Sequence, residues 1–544
     1  MSETAAIPGA VPAVPAAPAT PAAVPAAIPW LGLTAVLMGT FISTVNTRLS
    51  SFGLADIRGA VHAGFDEGAW ITTAQGMAQM LIAPLAIWLG GVFGPRRVLM
   101  EAAAAFAIIC LIEPLTTHLP LLLVLQFVGG LASGFFVPLT LSFVLRNMPP
   151  RVWAYGIAIY ALNLEVSLNV SASLEGWYVD HLSWRWIYWQ NVPLAIAMAA
   201  CLRLGIRREP VNPNRPPADW FGFISGGLGL ALIYAALDQG NRLDWASSSL
   251  IWALMSAGVI LMAGFFVHEW TTPYPAVNLR VVFGAPLPRL LLLIAFLRLT
   301  ILSTAYVIPQ FLGAVRGFRS IEVGQTLVWI AVPQVLVCAL GGYLLRRVDP
   351  RMVASGGFFC ICIACLMVAY GLTPVWGTDQ FVPSQLLQAV GQSLALSGTI
   401  FFAVLHLRPQ DALTFGAATQ VSRLMGGEVG QAFIATFVRV RSQVASNHLG
   451  QHVQIGDPAA LQRIQAYGAA TARLGDPAAG TLRGETVLGG VMHAMSITQG
   501  IIDAFVVIAV ATAITLMIIV TRRAAPPGPA SHQPILGPRP LPPT

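Results

Sequence analysis

Apolar residues recur along most of this chain in runs of about 20, the length at which an α-helix rising 1.5 Å per residue crosses a hydrocarbon core ~30 Å thick. Taking each run between the charges, prolines and glycines that interrupt it predicts fourteen spans. They lie near 30–52, 69–91, 98–117, 119–144, 152–176, 185–205, 219–238, 247–269, 288–313, 322–345, 352–371, 381–405, 414–438 and 497–521. The expected fold class is an all-α polytopic membrane protein with 14 transmembrane helices. One connection departs from the short turns between runs. From Arg439 to Ser496 the chain is polar, and "DPAALQRIQAYGAATARLG" within it has helical periodicity, with Asp457–Pro458 placed to start a helix. Long structureless connections are uncommon, so this segment is expected to be an extra element or a docking surface.

Arginine placement orients the spans. With the N-terminus inside, the inside connections collect Arg96 and Arg97, Arg146 and Arg151, Arg207 and Arg208, Arg346 and Arg347, and Arg522 and Arg523. The outside connections hold Arg58, Arg185, Arg242, Arg316 and Arg319. An inside excess has the sign expected for an N-in, C-in chain. The first 29 residues alternate Ala and Pro with no basic residue ahead of an apolar core, which reads as a disordered cytoplasmic tail and not a cleaved signal peptide. Residues 524–544 are expected to be a second such tail.

Composition agrees and removes other classes. Hydrophobic residues make up 56% of the chain and charged residues 10%, against about 25% charged in soluble domains. The net charge of +7 comes from arginines scattered singly or in pairs, which topology explains and polyanion binding does not, so no nucleic-acid partner is expected. The six cysteines lie in apolar runs, and even "CICIAC" (Cys360, Cys362, Cys365) has no His or acid beside it. Small buried hydrophobes are the expectation, with no metal and no cofactor. No nucleophile–base pair stands out in the loops, so the chain is not expected to be an enzyme.

Several stretches resemble the EmrB/QacA-type drug:proton antiporters, the fourteen-span branch of the major facilitator superfamily. They are "HLSWRWIYWQNVPLAI" (181–196), "DWFGFISGGLGLALIYAALDQGNRLDW" (219–245), "PAVNLRVV" (275–282) and "SRLMGGEVGQAF" (422–433). The resemblance implies a major facilitator fold. It would consist of a six-helix bundle over 30–210, two linking helices over 211–275, and a second six-helix bundle over 276–523 that includes the outside loop 439–496. The branch's mechanistic motifs have drifted. The loop "IWLGGVFGPRRVLM" keeps Gly94, Arg96 and Arg97, a cytoplasmic gate by resemblance, but has Gly91 where an Asp belongs. The acid of span one has become Asn46, the Arg of span four Gln126, and the antiporter motif of span five "SASLEG" (171–176).

Charges inside the spans are the remaining candidates. Glu165 falls ~20 Å along span five, close to the bilayer midplane, where an ionised acid costs on the order of 2.5–3.5 kcal/mol. It must face a cavity, find a partner or take a proton, and a carboxylate that exchanges a proton at mid-membrane is what proton coupling needs. Spans one and five are neighbours in the superfamily, so the resemblance permits Arg48 to pair with Glu165, with Glu175 or Asn169 as other partners. Arg298, Arg423 and Glu428 are expected as cavity charges contributed by the second bundle, with Gln126 a further cavity candidate and Asn46 grouped with Glu165 and Arg48 for proton coupling. Arg423 and Glu428, five residues apart, point about 140° away from each other.

The expected function is secondary transport across the bacterial inner membrane, exporting amphipathic or aromatic small molecules in exchange for protons by alternating access. The partners would be the substrate, protons, lipid and, as the resemblance implies, a periplasmic adaptor and an outer-membrane channel at loop 439–496. The motif losses keep two alternatives open. One is a proton-independent or dedicated metabolite transporter, the other a scaffold or receptor built on a transporter fold.

Overall fold

The computed structural model describes residues 30–206, 217–284, 287–406, 412–451, 453, 457–471 and 480–522. Both expected tails lie outside the described residues, as do Arg207, Arg208, Arg523 and the boundary at 210–211. The described residues are predominantly helical. The long helices are α1 (Trp30–Phe52), α2 (Trp70–Phe93), α3 (Pro95–Ile112), α4 (Leu119–Ser133, continuing as Phe136–Asn147), α5 (Trp153–His181) and α6 (Asn191–Gly205). After these come α7 (Trp220–Gly240) and α8 (Ser249–Thr271). The second group is α9 (Leu287–Leu302, a π turn at Ser303–Val307, then Ile308–Ala314), α10 (Ser320–Arg347), α11 (Pro350–Gly371), α12 (Thr378–Val404), α13 (Ala412–Gln451) and α14 (Gly480–Val520).

Local chemistry sets several helix starts. Asp219 Oδ1 accepts from Gly222 N at 2.9 Å ahead of α7, and Asp349 Oδ1 accepts from Arg351 N at 2.9 Å ahead of α11, each satisfying a donor the first turn leaves free. Gly94 sits at φ 78°, a left-handed conformation that favours glycine, and Pro95 then opens α3.

Among the described residues, twelve helical stretches are long and apolar enough to cross a membrane, two fewer than the hydropathy runs predict. The shortfall falls on α6 and α13. Helix α6 has 15 residues and approaches bilayer length only with the short helix Trp186–Trp189 in front of it. Helix α13 has 40 residues, and Arg423, Glu428, Arg439 and Arg441 lower its hydropathy.

The polar connection at 439–496 is mostly helix. Helices α13 and α14, of 40 and 41 residues, are each ~60 Å long, twice the hydrocarbon thickness. A separate helix, Pro458–Thr471, packs along α14 where Gly484 lies against the Ile464 carbonyl. Asp457 starts it as expected, accepting from Ala459 N at 3.1 Å. Hydropathy sees spans, and these extensions are polar, so the sequence pattern leaves them as a connection.

Two buried apolar clusters divide the molecule. One runs through α1, α3, α4 and α6; the other runs through α9 to α14 and takes in the α5 residues Ile157, Tyr160, Leu164 and Leu168. Helix α5 thus belongs to the first group by sequence and packs on the second. Small residues make the approach possible, as lipid supplies little hydrophobic drive between helices. A Cβ on Gly176 would lie 2.5 Å from Ile321 N, and one on Gly324 would lie 2.6 Å from Ser173 Cα. At the other end of the α5–α10 pair, Gly342 meets the Tyr155 ring and Arg346 stacks over it. The groups therefore touch at both ends of α5 and α10. Helix α7 rests on α2, with Gly227 against the Leu81 carbonyl, while α8 is largely exposed.

Candidate functional site

Asn163 and Glu165 give α5 its two faces. Asn163 Nδ2 donates to Leu37 O (2.6 Å) and Thr40 Oγ1 (2.9 Å) of α1, fixing that face to the first bundle. Glu165 is two residues on, about 200° around the helix, and is turned to the second bundle. It is 0% exposed, and neither carboxylate oxygen has a hydrogen-bond partner. The cations facing it are Arg298 of α9 and Arg423 of α13. The buried Tyr160 hydroxyl, also unbonded, faces the same two arginines. Gln420 steadies Arg423 by accepting from its Nη2 (2.9 Å) and Nε (3.3 Å), while Arg298 Nε is left without a partner.

Arg48 does not pair with Glu165, with Glu175 or with Asn169. Its Nη2 donates to Ala305 O at 2.7 Å, and its guanidinium lies over the Phe52 ring. Ala305 is in the π turn of α9, where the wider winding frees a carbonyl, and that carbonyl captures the arginine first. Arg48 nonetheless faces Arg298. Three guanidiniums and one carboxylate therefore meet between the bundles.

Beside them runs a network of uncharged polar side chains that carries no charge signal in the sequence. Asn169 Nδ2 donates to Glu165 O (2.9 Å), Gln392 Oε1 (3.3 Å) and Gln334 Oε1 (3.4 Å). Gln392 Nε2 donates to Thr304 Oγ1 (2.8 Å), and Gln388 Nε2 to Ser303 Oγ (3.1 Å). The available signal is the spacing: Gln385, Gln388 and Gln392 recur at helical intervals in an apolar span.

The remaining candidates sit elsewhere. Asn46 Oδ1 accepts from Asn191 Nδ2 of α6 at 2.7 Å, and Gln126 Nε2 donates to Tyr188 OH at 2.8 Å. Both are buried in the interior of the first bundle, and Gln126 is not between the bundles. Arg96 Nη2 donates to Arg203 O (3.1 Å) in the last turn of α6, and Arg97 pairs with Glu101 (2.9 Å). Both gate arginines thus bond within the first bundle.

Glu428 is turned away from Arg423, in keeping with their 140° offset, and is not part of the arginine cluster. It lies at the junction of α13, α7 and α2, in hydrogen-bond contact with Tyr234 and Asp238. Asp238 was missed because it sits in a stretch that resembles a family signature, where it passed as a fold marker.

A pair of helical bundles enclosing buried charge between them is the architecture of a membrane transporter. The sequence profile of the Major Facilitator Superfamily matches residues 36–430, and the chain belongs to that family. Among its relatives are the multidrug export protein EmrB of Escherichia coli K12, 22% identical over 424 residues (78% of this chain, 83% of EmrB), and the fatty acid resistance protein FarB of Neisseria gonorrhoeae, 22% identical over 436 residues (79% and 84%). The fold is that of the human organic anion transporter MFSD10, with a TM-score of 0.54 at 12% identity over 89% of this chain and 99% of that one. The chain is a multi-pass inner-membrane transporter of the EmrB type, not an enzyme.

Proposed function

We propose that the chain exports amphipathic or aromatic small molecules by proton antiport, crossing the membrane fourteen times with both termini inside. Glu165 carries the proton. The observation that supports this reading is a fully buried carboxylate with no hydrogen-bond partner, facing two arginines of the opposite bundle. When ionised, Glu165 attracts Arg298 and Arg423 and accepts hydrogen bonds from a substrate lodged between the bundles. When protonated, it loses the negative charge that draws the arginines and strengthens those bonds, so substrate and proton compete. The ~60 Å length of α13 and α14, twice the hydrocarbon thickness, supports a helix Pro458–Thr471 held beyond the bilayer as the surface for a periplasmic adaptor.

The test is a growth-inhibition panel in an efflux-deficient host, comparing vector, wild type and Glu165→Gln at matched expression. Protection by wild type that the Gln variant lacks supports the reading. Equal protection by both removes Glu165 from coupling, and no protection by wild type removes drug export.

The arginine surplus favours a second reading, a substrate with an anionic head group, which is also the chemistry in FarB's name. An anion beside three guanidiniums competes with ionised Glu165, so by linkage it binds together with a proton. The two readings differ in sign: substrate binding to purified protein releases protons under antiport and takes them up under anion binding.

A further inference from the structure

The end of α7 belongs to neither bundle and grips both. Toward α2, Asp238 Oδ2 is met by the Thr73 hydroxyl, which also accepts from Gln239 Nε2 (2.5 Å), and Arg242 pairs with Asp66. The Tyr234 ring fills the space a side chain on Gly76 would need. Toward α13, Trp245 Nε1 donates to Thr436 Oγ1 (2.9 Å), Thr436 donates to Asn241 Oδ1 (3.2 Å), and Arg439 pairs with Asp244 (3.0 Å). Deeper in the same seam, the Glu428 carboxyl meets Asp238 and Tyr234. Glu428 is 7% exposed, and its Oε1 has no hydrogen-bond partner.

Two carboxyls in hydrogen-bond contact cannot both be ionised without strong repulsion, so such a pair holds one proton between them. The surrounding donors decide where it sits. Thr73 and Gln239 Nε2 (3.3 Å) both converge on Asp238 Oδ2, whereas Glu428 Oε1 receives none. Asp238 therefore bears the charge and Glu428 the proton. The other titratable or charged groups around the pair are few. Helix α7 contributes Tyr234 and Arg242, the latter taken up by Asp66. Helix α2 has no charged residue, and none is among the described side chains of α4. Helix α9 contributes Arg298, which stands by Gly427 on the side of α13 that faces Glu165, and α14 contributes Asp503, bound to Arg441.

We propose that Asp238 and Glu428 are a second proton-binding site, separate from Glu165, whose shared proton latches α13 to α7 and, through Thr73, to α2. Loss of that proton to water leaves two like charges in contact, and α13 parts from α7 and α2. The linking helices thereby make the seam between the bundles proton-sensitive.

The experiment uses the purified full chain in lipid nanodiscs. Infrared difference spectra across a pH titration read the protonated carboxyl, and hydrogen exchange, corrected for its intrinsic pH dependence, reads the seam. Wild type is expected to show a titrating carboxyl band and, at the alkaline end, at least about a tenfold loss of amide protection around residues 428–439. The seam response and one component of the band are expected to persist in Glu165→Gln and to vanish in Glu428→Gln, whose amide keeps the shape of a protonated acid, while the Glu165 component of the band remains there. Asp238→Asn should move the band's titration midpoint, which keeps the proposal testable if Glu428→Gln misfolds. A band and protection profile unchanged in Glu428→Gln, or no seam response in wild type, overturns it. Loss in Glu165→Gln alone would assign the proton to Glu165.

Discussion

Arg48 Nη2 bonds the carbonyl of Ala305 at 2.7 Å, and this contact ties the first helix of one bundle to the π turn of the other. A charge-assisted bond in a part-buried place contributes about 1.5–3 kcal/mol. Arg48→Gln should lower the thermal midpoint of the purified protein and slow transport, while Arg48→Lys, which keeps a donor and a charge, should lose less. Scanning fluorimetry beside a transport assay checks both. Equal losses in the two variants would show that the guanidinium's shape is what matters.

The α5–α10 seam makes a steric prediction. With Cβ positions 2.5 Å and 2.6 Å from facing backbone, Gly176→Ala and Gly324→Ala force these helices apart where no side-chain rotation gives relief. Overpacking of this kind costs about 1–3 kcal/mol. Gly356→Ala, where nothing stands within 4 Å, should be silent. Thermal stability of the three variants is the measurement, and a silent Gly176→Ala would mean that α5 and α10 are looser in the bilayer.

Coupling between Glu165 and Arg298 can be isolated by a double-mutant cycle with Glu165→Gln and Arg298→Gln. Residues that share a charge network deviate from additivity by about 0.5–3 kcal/mol. The pair should show such a term in stability, whereas Glu165 with Arg97, which bonds Glu101 on an exposed surface, should show none. Additive behaviour of Glu165 and Arg298 would place them out of contact.

The outer rung of the α7–α13 seam supplies a control for pH. Arg439 and Ser247 hold the Asp244 carboxyl below its usual range. A depressed acid contributes its stability above its unfolded pKa, about 3.9, and loses it as pH falls through the lower folded value. That contribution is constant between about pH 5 and 8. Asp244→Asn should weaken the seam in a salt-sensitive way yet leave its pH response in that window intact. A pH response lost with Asp244 would move the proton from Glu428 to this pair.

The class of protein is legible in the chain alone. Runs of about 20 apolar residues must lie in lipid, and Asp457–Pro458 starts a helix because the local chain alone supplies the cap. The sequence also singled out Glu165, because a charge at midplane is expensive wherever it points. What it could not determine was which groups meet. A helix carries side chains all round, and a rotation of one or two positions decides whether Arg48 reaches Glu165 or a carbonyl of α9. The π turn that exposes Ala305 O, the packing of α5 on the opposite bundle, and the contact of Asp238 with Glu428 each join residues far apart in the chain. Those pairings depend on how the helices cross, and only the tertiary structure fixes that.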